Sequence, residues 1–271
     1  MRPDPVRGIR PLFTRELQAL LRYARDDATT HIRNHFKYRT EIDVDHVREI
    51  LERIIARRFL PDAEEVIRRF TRTAYFRGID QSTTAIDIGA RTVGTPVAIS
   101  IGFTQVDYRA IDNLSAIQLT DLEGITAEMS AGLIHDLVAA DKQGAGITLI
   151  TKVIAEDFQD LGIKRIERIA RTSLNRAYND AAWTRISEYA PYKEWIMTRD
   201  SRTRPSHRAM QGVVIPVDDY FDVPGFLPSP GAKKRIPPAK MLFPGDISQN
   251  PHIAQIVNCR CALAPRFRKR D

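Results

Sequence analysis

Cysteine is nearly absent from this chain of 271 residues, which has two, separated by a single residue. This excludes a framework of disulfides as the means of holding the fold together. Long apolar runs are also lacking, since no uninterrupted stretch approaches the roughly 18–20 residues that a membrane span requires. The N-terminus, MRPDPVRGIRPLF, has no apolar core of the kind found in secretory signals. We expect a protein without membrane contacts, made in a reducing cytoplasm.

The excess of positive over negative charge is confined to one end of the chain. The net charge is +7, and residues 191–271 contain 14 Lys and Arg against 7 Asp and Glu, whereas the two signs balance in the rest. The same segment holds 11 of the 16 prolines and both cysteines. We therefore expect three regions, namely a helical 1–104, a long-helix region 105–190 and a basic, proline-rich 191–271.

Apolar residues recur at helical spacing through most of the first 190 positions. In DVDHVREILERIIARRF (43–59) they form one stripe, with Asp43 as N-cap, and Pro61 suits the first turn of the helix that follows. That helix is expected to stop at Gly78. A later helix, over residues 147–162, is expected to end at Gly162.

Two further features complete the helical part. RTVGTPVAISIGF (91–103), with its glycines, proline and β-branched residues, is either a strand or an extended linker. The segment 163–190 is predicted to be a long helix that ends before Pro191.

The periodicity changes after residue 190. Residues 192–199, 213–217 and 256–265 are predicted strands, with Pro216 favouring an edge position. Residues 223–245 form a long loop rich in proline, glycine and basic residues. The fold class is therefore α+β, with a mainly helical N-terminal two-thirds and a small C-terminal α+β domain. That domain has a short antiparallel sheet and a long Pro-rich loop.

The stretch TRDSRTRPSHRAMQGVVI (198–215) admits two interpretations. As a catalytic site, Asp200 and His207 form an acid–base pair beside an arginine anion clamp, but the several carboxylates that hold a nuclease metal are lacking. As a structural clasp, Asp200 closes a turn, Pro205 begins a short helix carrying His207, and Gly212 adopts a backbone conformation that other residues resist. The second interpretation explains more residues, so we predict that the protein is not an enzyme.

The sequence N-C-R-C (258–261) raises the question of metal binding. Alternate residues of a strand share a face, so both cysteines are expected to point the same way. With His207 they supply three zinc ligands, and His252 is the candidate for the fourth. The alternative is that the thiols are small buried apolar groups. We expect no cofactor, with zinc as the alternative left open.

The basic residues near the C-terminus suggest contact with DNA phosphates. Cations in such segments bind phosphates without reading sequence. Aromatic residues interleave poorly with them, which argues against a platform for stacking single-stranded bases. The expected phosphate contacts are Lys233, Lys234, Arg235, Lys240, Arg266, Arg268, Lys269 and Arg270.

The order of the motifs is itself informative. A helix containing IARTSLNRAYNDAAW precedes KEWIMTRDSRTRPSH, QGVVIP, the Pro-rich basic loop and NCRCALAP. This succession, over residues 148–265, resembles the phage Mu F-like minor head proteins, whose domain is also called the MuF or head-morphogenesis domain. The helical N-terminal part is more loosely similar to the same family. The positions on the family's pattern are Asp200, Arg202, Thr203, His207, Gly212, Asn258, Cys259, Arg260 and Cys261. Many relatives have a cysteine where Arg204 stands and an acidic residue where Gln211 stands, and these departures weaken the metal and catalytic interpretations.

The resemblance implies a structural minor head protein of a tailed phage or prophage, associated with the portal inside the capsid. Such a protein acts in head morphogenesis, DNA packaging or DNA delivery. Its implied partners are the portal and other head proteins, with the helical 1–104 as the part that binds the portal or the capsid lining. A further implied partner is packaged double-stranded DNA, held non-specifically. Its implied location is the virion, near the portal, with the host cytoplasm during assembly. The alternative is a metal-dependent, nuclease-like enzyme centred on Asp200, His207, Cys259 and Cys261.

Overall fold

The computed structural model describes residues 4–37, 43–99, 102–142, 147–228, 232 and 234–268. It confirms an α+β fold, mainly helical as far as residue 189 and with small antiparallel sheets beyond. The helices are α1 Arg10–Phe36, α2 Val44–Ile54, α3 Leu60–Thr92, α4 Gln105–Lys142, α5 Ile147–Tyr189, α6 Pro205–Ala209 and α7 Ile253–Ile256. The strands are β1 Tyr192–Ile196, β2 Val214–Pro216, β3 Phe221–Val223, β4 Ala239–Met241 and β5 Ala262–Arg266. Among the described residues, no helix combines the length and apolar character that crossing a membrane demands.

The chain forms two compact units. Unit 1 comprises Met1–Arg10, Phe70–Leu114 and Arg171–Asp271, and unit 2 comprises Pro11–Arg69 and Ser115–Ala170. The regions expected from composition, 1–104, 105–190 and 191–271, stay a prediction about domain boundaries. Residues 191–271 all belong to unit 1.

Unit 2 is built on amphipathic helices. The buried face of α1 repeats every three or four residues, through Phe13, Leu17, Leu21, Ala24, Ala28, Ile32 and Phe36. Asp43 caps α2 as expected, because its Oδ1 accepts a hydrogen bond of 3.0 Å from the backbone N of His46. A π-helical turn, Ile55–Phe59, leads from α2 into α3, whose first turn contains Pro61.

Two glycines expected to end helices lie inside them. Helix α3 continues through Gly78, where a Cβ atom would lie 2.3 Å from the carbonyl oxygen of Tyr178, so the glycine permits close packing of α3 on α5 within unit 1. Helix α5 continues through Gly162, because an interior glycine costs only about 1 kcal/mol. The predicted end before Pro191 is confirmed, since α5 ends at Tyr189.

The stretch 91–103 contains a linker. Residues 91 and 92 end α3, and residues 95–99 have no regular structure, so the strand alternative is wrong for the described part of this stretch. Helix α4 follows after a reciprocal cap in which the Thr104 backbone N donates to Asp107 Oδ2 at 2.7 Å and the Asp107 N donates to Thr104 Oγ1 at 3.4 Å. Arg185 Nη2 lies 3.4 Å from Asp107 Oδ2, so the buried carboxylate is paired.

The three-stranded antiparallel sheet has the order β2-β1-β5, and Pro216 lies on an edge strand as predicted. The third predicted strand is only partly right, because β5 begins at Ala262 and residues 253–256 form α7. The long loop 223–245 is likewise partly ordered into a second sheet. There β3 pairs antiparallel with β4, and Phe226 pairs with Ile236.

Candidate functional site

The turn after β1 is closed by Asp200. Its Oδ1 accepts hydrogen bonds from the Arg202 backbone N at 3.0 Å and from Thr203 Oγ1 at 3.2 Å. Arg260 forms a bidentate ion pair with the same carboxylate. Its Nη2 lies 2.8 Å from Oδ1, and its Nη1 contacts Oδ2. The hydrogen bond from Arg260, followed by its charge, lowers the pKa of Asp200 to about 2. The structure thus confirms that Asp200 closes this turn, as the sequence predicted.

Helix α6 carries His207 and begins at Pro205, as predicted. Pro205 occupies its first turn and Arg204 is its N-cap residue. Gly212 then takes a positive φ of 76° and donates its N–H to the Trp195 carbonyl oxygen at 3.0 Å, which leads the chain into β2. The His207 ring meets the Trp195 ring edge-on, with centroids 5.1 Å apart. His207 therefore packs over the sheet, as expected.

The two cysteines reach His207 by a different backbone route from the one predicted. They do not lie on a strand, since β5 begins one residue after Cys261. Instead Asn258 takes a positive φ of 60° and the Cys259 N–H bonds to the Ile256 carbonyl at 3.1 Å. This tight turn brings both sulfur atoms to 3.5 Å from His207 Nδ1.

The thiols are electrostatically distinct. A hydrogen bond from Cys261 lowers the pKa of Cys259, assisted by His207 and by the guanidinium of Arg204. The same hydrogen bond, with burial, raises the pKa of Cys261. Of the two sulfurs, Cys259 is therefore the one that carries a negative charge more readily.

Two asparagines on α5 hold the cysteine segment, and the sequence analysis missed both. Asn179 Nδ2 donates to the Cys261 carbonyl at 3.0 Å and to the Pro244 carbonyl at 3.1 Å, while its Oδ1 accepts from Leu263 N at 2.9 Å. Asn175 Nδ2 also donates to the Cys261 carbonyl, at 3.1 Å. Two asparagines four residues apart on an otherwise apolar helical face were the available signal.

Arg204 stabilises the other side of the cluster. Its guanidinium donates hydrogen bonds to the carbonyl oxygens of Ala254 and Val257. His252, the expected fourth zinc ligand, is exposed and accepts from Ala254 N at 3.1 Å through Nδ1, so it caps α7 and does not join the cluster. Within the described residues, the groups placed to share a metal ion are His207, Cys259 and Cys261.

The predicted phosphate contacts fall into two groups. Lys233, Lys269 and Arg270 lie outside the described residues. The described members, Lys234, Arg235, Lys240, Arg266 and Arg268, are all exposed. Lys240 Nζ lies 2.9 Å from Asp222 Oδ1, and Arg266 pairs with Glu194, so two of these charges are partly neutralised.

A cleft of about 670 Å³ in unit 1 gathers arginines that the sequence analysis did not connect. Six arginines line it, Arg7, Arg10, Arg199, Arg202, Arg260 and Arg266, together with the acidic residues Asp4, Glu194 and Asp200. Each acid pairs with an arginine of the cleft: Asp4 with Arg10 at 2.8 Å, Asp200 with Arg260 at 2.8 Å, and Glu194 with Arg266. Arg7, Arg199 and Arg202 are exposed and make the cleft positive, although Arg202 Nη2 also lies 3.7 Å from Asp200 Oδ2.

Comparison with known proteins gives one match. The family model described as Phage Mu protein F like protein matches residues 133–264, slightly less than half of the chain. The match begins within α4 and confirms the resemblance. No curated protein matches the chain, and no solved structure matches it. The family match indicates a phage head morphogenesis protein and, with it, a place in the virion.

Proposed function

We propose that the chain is a structural minor head protein associated with the portal inside the capsid. The match to the phage Mu F-like family over residues 133–264 supports this proposal. In this role it acts in head morphogenesis, DNA packaging or DNA delivery. It contacts the packaged double-stranded DNA through phosphates. It works near the portal in the virion and is present in the host cytoplasm during assembly.

The arginine-lined cleft is the observation that carries the DNA part of this proposal. Six guanidinium groups against three carboxylates leave a local surplus of three positive charges. Guanidinium forks match the geometry of phosphate oxygens and stay charged at every physiological pH. Because Arg7, Arg199 and Arg202 are exposed, they are accessible to a polyanion.

The surface chemistry favours binding without sequence preference. The exposed residues are arginines, whose contacts with phosphates carry no sequence information. A protein that contacts a packaged genome must bind DNA of any sequence. Charge-based contact suits that task.

A non-enzymatic role is part of the proposal. Asp200 is engaged by Arg260, Thr203 and the Arg202 backbone, and its lowered pKa makes it a weak base at neutral pH. His207 is 1% exposed and faces two sulfur atoms. These contacts support a structural role for both Asp200 and His207.

The test of portal association is co-sedimentation of the full chain with assembled portal oligomers of the same phage. Leu12 and Tyr23 are exposed apolar residues eleven positions apart on α1, about three helical turns, so they lie on one face. We expect the wild-type chain to sediment with the portal and the double variant Leu12→Ser/Tyr23→Ser to do so less. The matched control, Arg15→Ser/Arg22→Ser, alters exposed polar positions of the same helix.

A wild-type chain that stays in the supernatant at both low and moderate salt would refute portal association. The nuclease-like alternative is tested on the same preparations. It predicts metal-dependent DNA cleavage that His207→Ala abolishes, whereas the structural proposal predicts intact DNA with both proteins.

A further inference from the structure

Three side chains in unit 1 have the geometry of a metal site. His207 Nδ1 lies 3.5 Å from Cys259 Sγ and 3.5 Å from Cys261 Sγ, and all three atoms lie within 4.8 Å of one another. A tetrahedral zinc ion with Zn–N of about 2.0 Å and Zn–S of about 2.3 Å holds its N and S atoms about 3.5 Å apart. We infer that His207, Cys259 and Cys261 bind one zinc ion.

Burial supports this assignment. The exposed fractions of His207, Cys259 and Cys261 are 1%, 3% and 2%. Among the described residues the buried His207 Nε2 has no hydrogen-bond partner, so the polar contacts of the ring lie at Nδ1, where both sulfurs converge. A buried imidazole is ordinarily fixed by hydrogen bonds at both nitrogens. Thiols are weak hydrogen-bonding groups, and metal ligation accounts better for an imidazole held by two of them.

The ligand set selects the class of metal. Two thiolates and one imidazole are soft or borderline ligands, which favour zinc and disfavour magnesium and calcium, the ions of oxygen-rich sites. Two thiolates also neutralise the charge of Zn²⁺, which a buried site requires. With three protein ligands, the fourth position takes a small ligand such as water.

The surrounding backbone positions the ligands. Asn258, with its positive φ, turns the chain so that both cysteines face α6. Asn175 and Asn179 fix the Cys261 carbonyl from α5. Arg204 fixes the Ala254 and Val257 carbonyls, which precede the turn. A zinc ion here joins α6 to the segment before β5.

The experiment uses the untagged full chain, purified under reducing conditions. Metal content is measured by mass spectrometry for the wild type, for His207→Ala, Cys259→Ser and Cys261→Ser, and for the control His135→Ala, an exposed histidine of α4. We expect about one zinc per chain in the wild type and the control, and a drop of about tenfold or more in each ligand variant.

A second measurement covers the case in which the ligand variants fail to fold. Zinc in the wild-type chain is exchanged for Co²⁺, and the thiolate-to-cobalt charge-transfer band is recorded. Because the chain has only two cysteines, such a band assigns the metal to them. A folded wild-type chain that holds no zinc, takes up none when Zn²⁺ is added, and gives no charge-transfer band with Co²⁺ overturns the inference. So does a mass two hydrogens lower, which indicates a Cys259–Cys261 disulfide.

Discussion

Arg260 and Asp200 form a bidentate ion pair that connects the segment before β5 to the turn after β1, sixty residues earlier in the chain. Arg260 is 9% exposed, and its partner also accepts bonds from Thr203 and from the Arg202 backbone. Hydrogen bonds of this kind act together with buried apolar side chains such as Trp195, Phe221 and Leu263 to connect the short strands of residues 191–271.

Replacing Asp200 by Asn is expected to destabilise the protein by roughly 1 kcal/mol at pH 6, because the charged hydrogen bonds from Arg260 are lost. The folded pKa of Asp200, about 2, lies below its ordinary value of 3.8. The stabilisation is therefore present above about pH 4 and is lost as the pH falls through about 2. Urea unfolding at several pH values measures the difference between the two proteins.

The matched control is Asp222→Asn, which removes an exposed carboxylate paired with Lys240. We expect it to change the free energy of unfolding by less than about 0.5 kcal/mol. Equal effects of the two substitutions would mean that the Asp200–Arg260 pair has no special structural role.

Asn179→Ala is expected to cost about 2–4 kcal/mol in the free energy of unfolding. The substitution leaves the Leu263 N–H without the Asn179 oxygen, and it removes a donor from the Cys261 and Pro244 carbonyls. The control, Asn113→Ala, alters an exposed asparagine of α4 and is expected to be neutral or slightly stabilising. Chemical unfolding of the wild type and the two variants measures these differences. An Asn179→Ala variant with an unchanged free energy of unfolding would contradict the role of α5 in holding the cysteine segment.

Lys193 gives a prediction at the opposite end of the pH scale. Its side chain is fully buried, and its Nζ lies 5.5 Å from the Phe221 ring centroid with no hydrogen-bond partner among the residues that the structure describes. Burial lowers its pKa to about 8 despite Asp218, Asp246 and Asp219. Between about pH 8 and 10.5 the unfolded chain binds this proton more than the folded chain does. Lys193 therefore destabilises the fold fully below pH 8, and the penalty fades as the pH rises towards 10.5.

Lys193→Met is accordingly expected to raise the free energy of unfolding by about 1–2 kcal/mol at pH 7, with a gain that shrinks at pH 9–10. Thermal unfolding against pH measures this gain. A gain that is constant with pH would show that Lys193 is not neutralised in this range.

Charge reversal in the cleft is expected to weaken binding to double-stranded DNA. The variant Arg199→Glu/Arg202→Glu should bind about tenfold or more weakly, and the slope of log affinity against log salt should fall by about 2, one for each lost phosphate contact. The control, Arg109→Glu/Arg168→Glu, makes the same change of net charge at exposed arginines that do not line the cleft. Equal losses in both variants would mean that net charge alone, without the cleft, drives DNA binding.

Local chemistry was predictable from the sequence, whereas contacts between distant residues were not. The Asp200 turn, the start of α6 at Pro205 and the positive φ of Gly212 follow from preferences of the residues themselves. Gly78 was misassigned because its use depends on Tyr178, a hundred residues away. Similarly, β4 lies within the Pro-rich loop because its partner, β3, satisfies its backbone, and no local pattern reveals such pairing.

The candidate sites divide in the same way. The His207–cysteine grouping was predicted from side-chain types, although the strand proposed to align the cysteines was wrong and a turn at Asn258 performs that task. The cleft was not predicted, because Arg7 and Arg10 reach it from the opposite end of the sequence to Arg199 and Arg202. The structure was needed to bring them together.

Quantitative mass spectrometry of purified phage particles tests the central claim, a minor head protein at the portal, most directly. Peptides of this chain are measured against those of the portal and major capsid proteins, after nuclease treatment of intact particles. The account predicts that the chain is retained at a fixed ratio to the portal, far below that of the major capsid protein. Particles that contain the portal but none of this chain would contradict it.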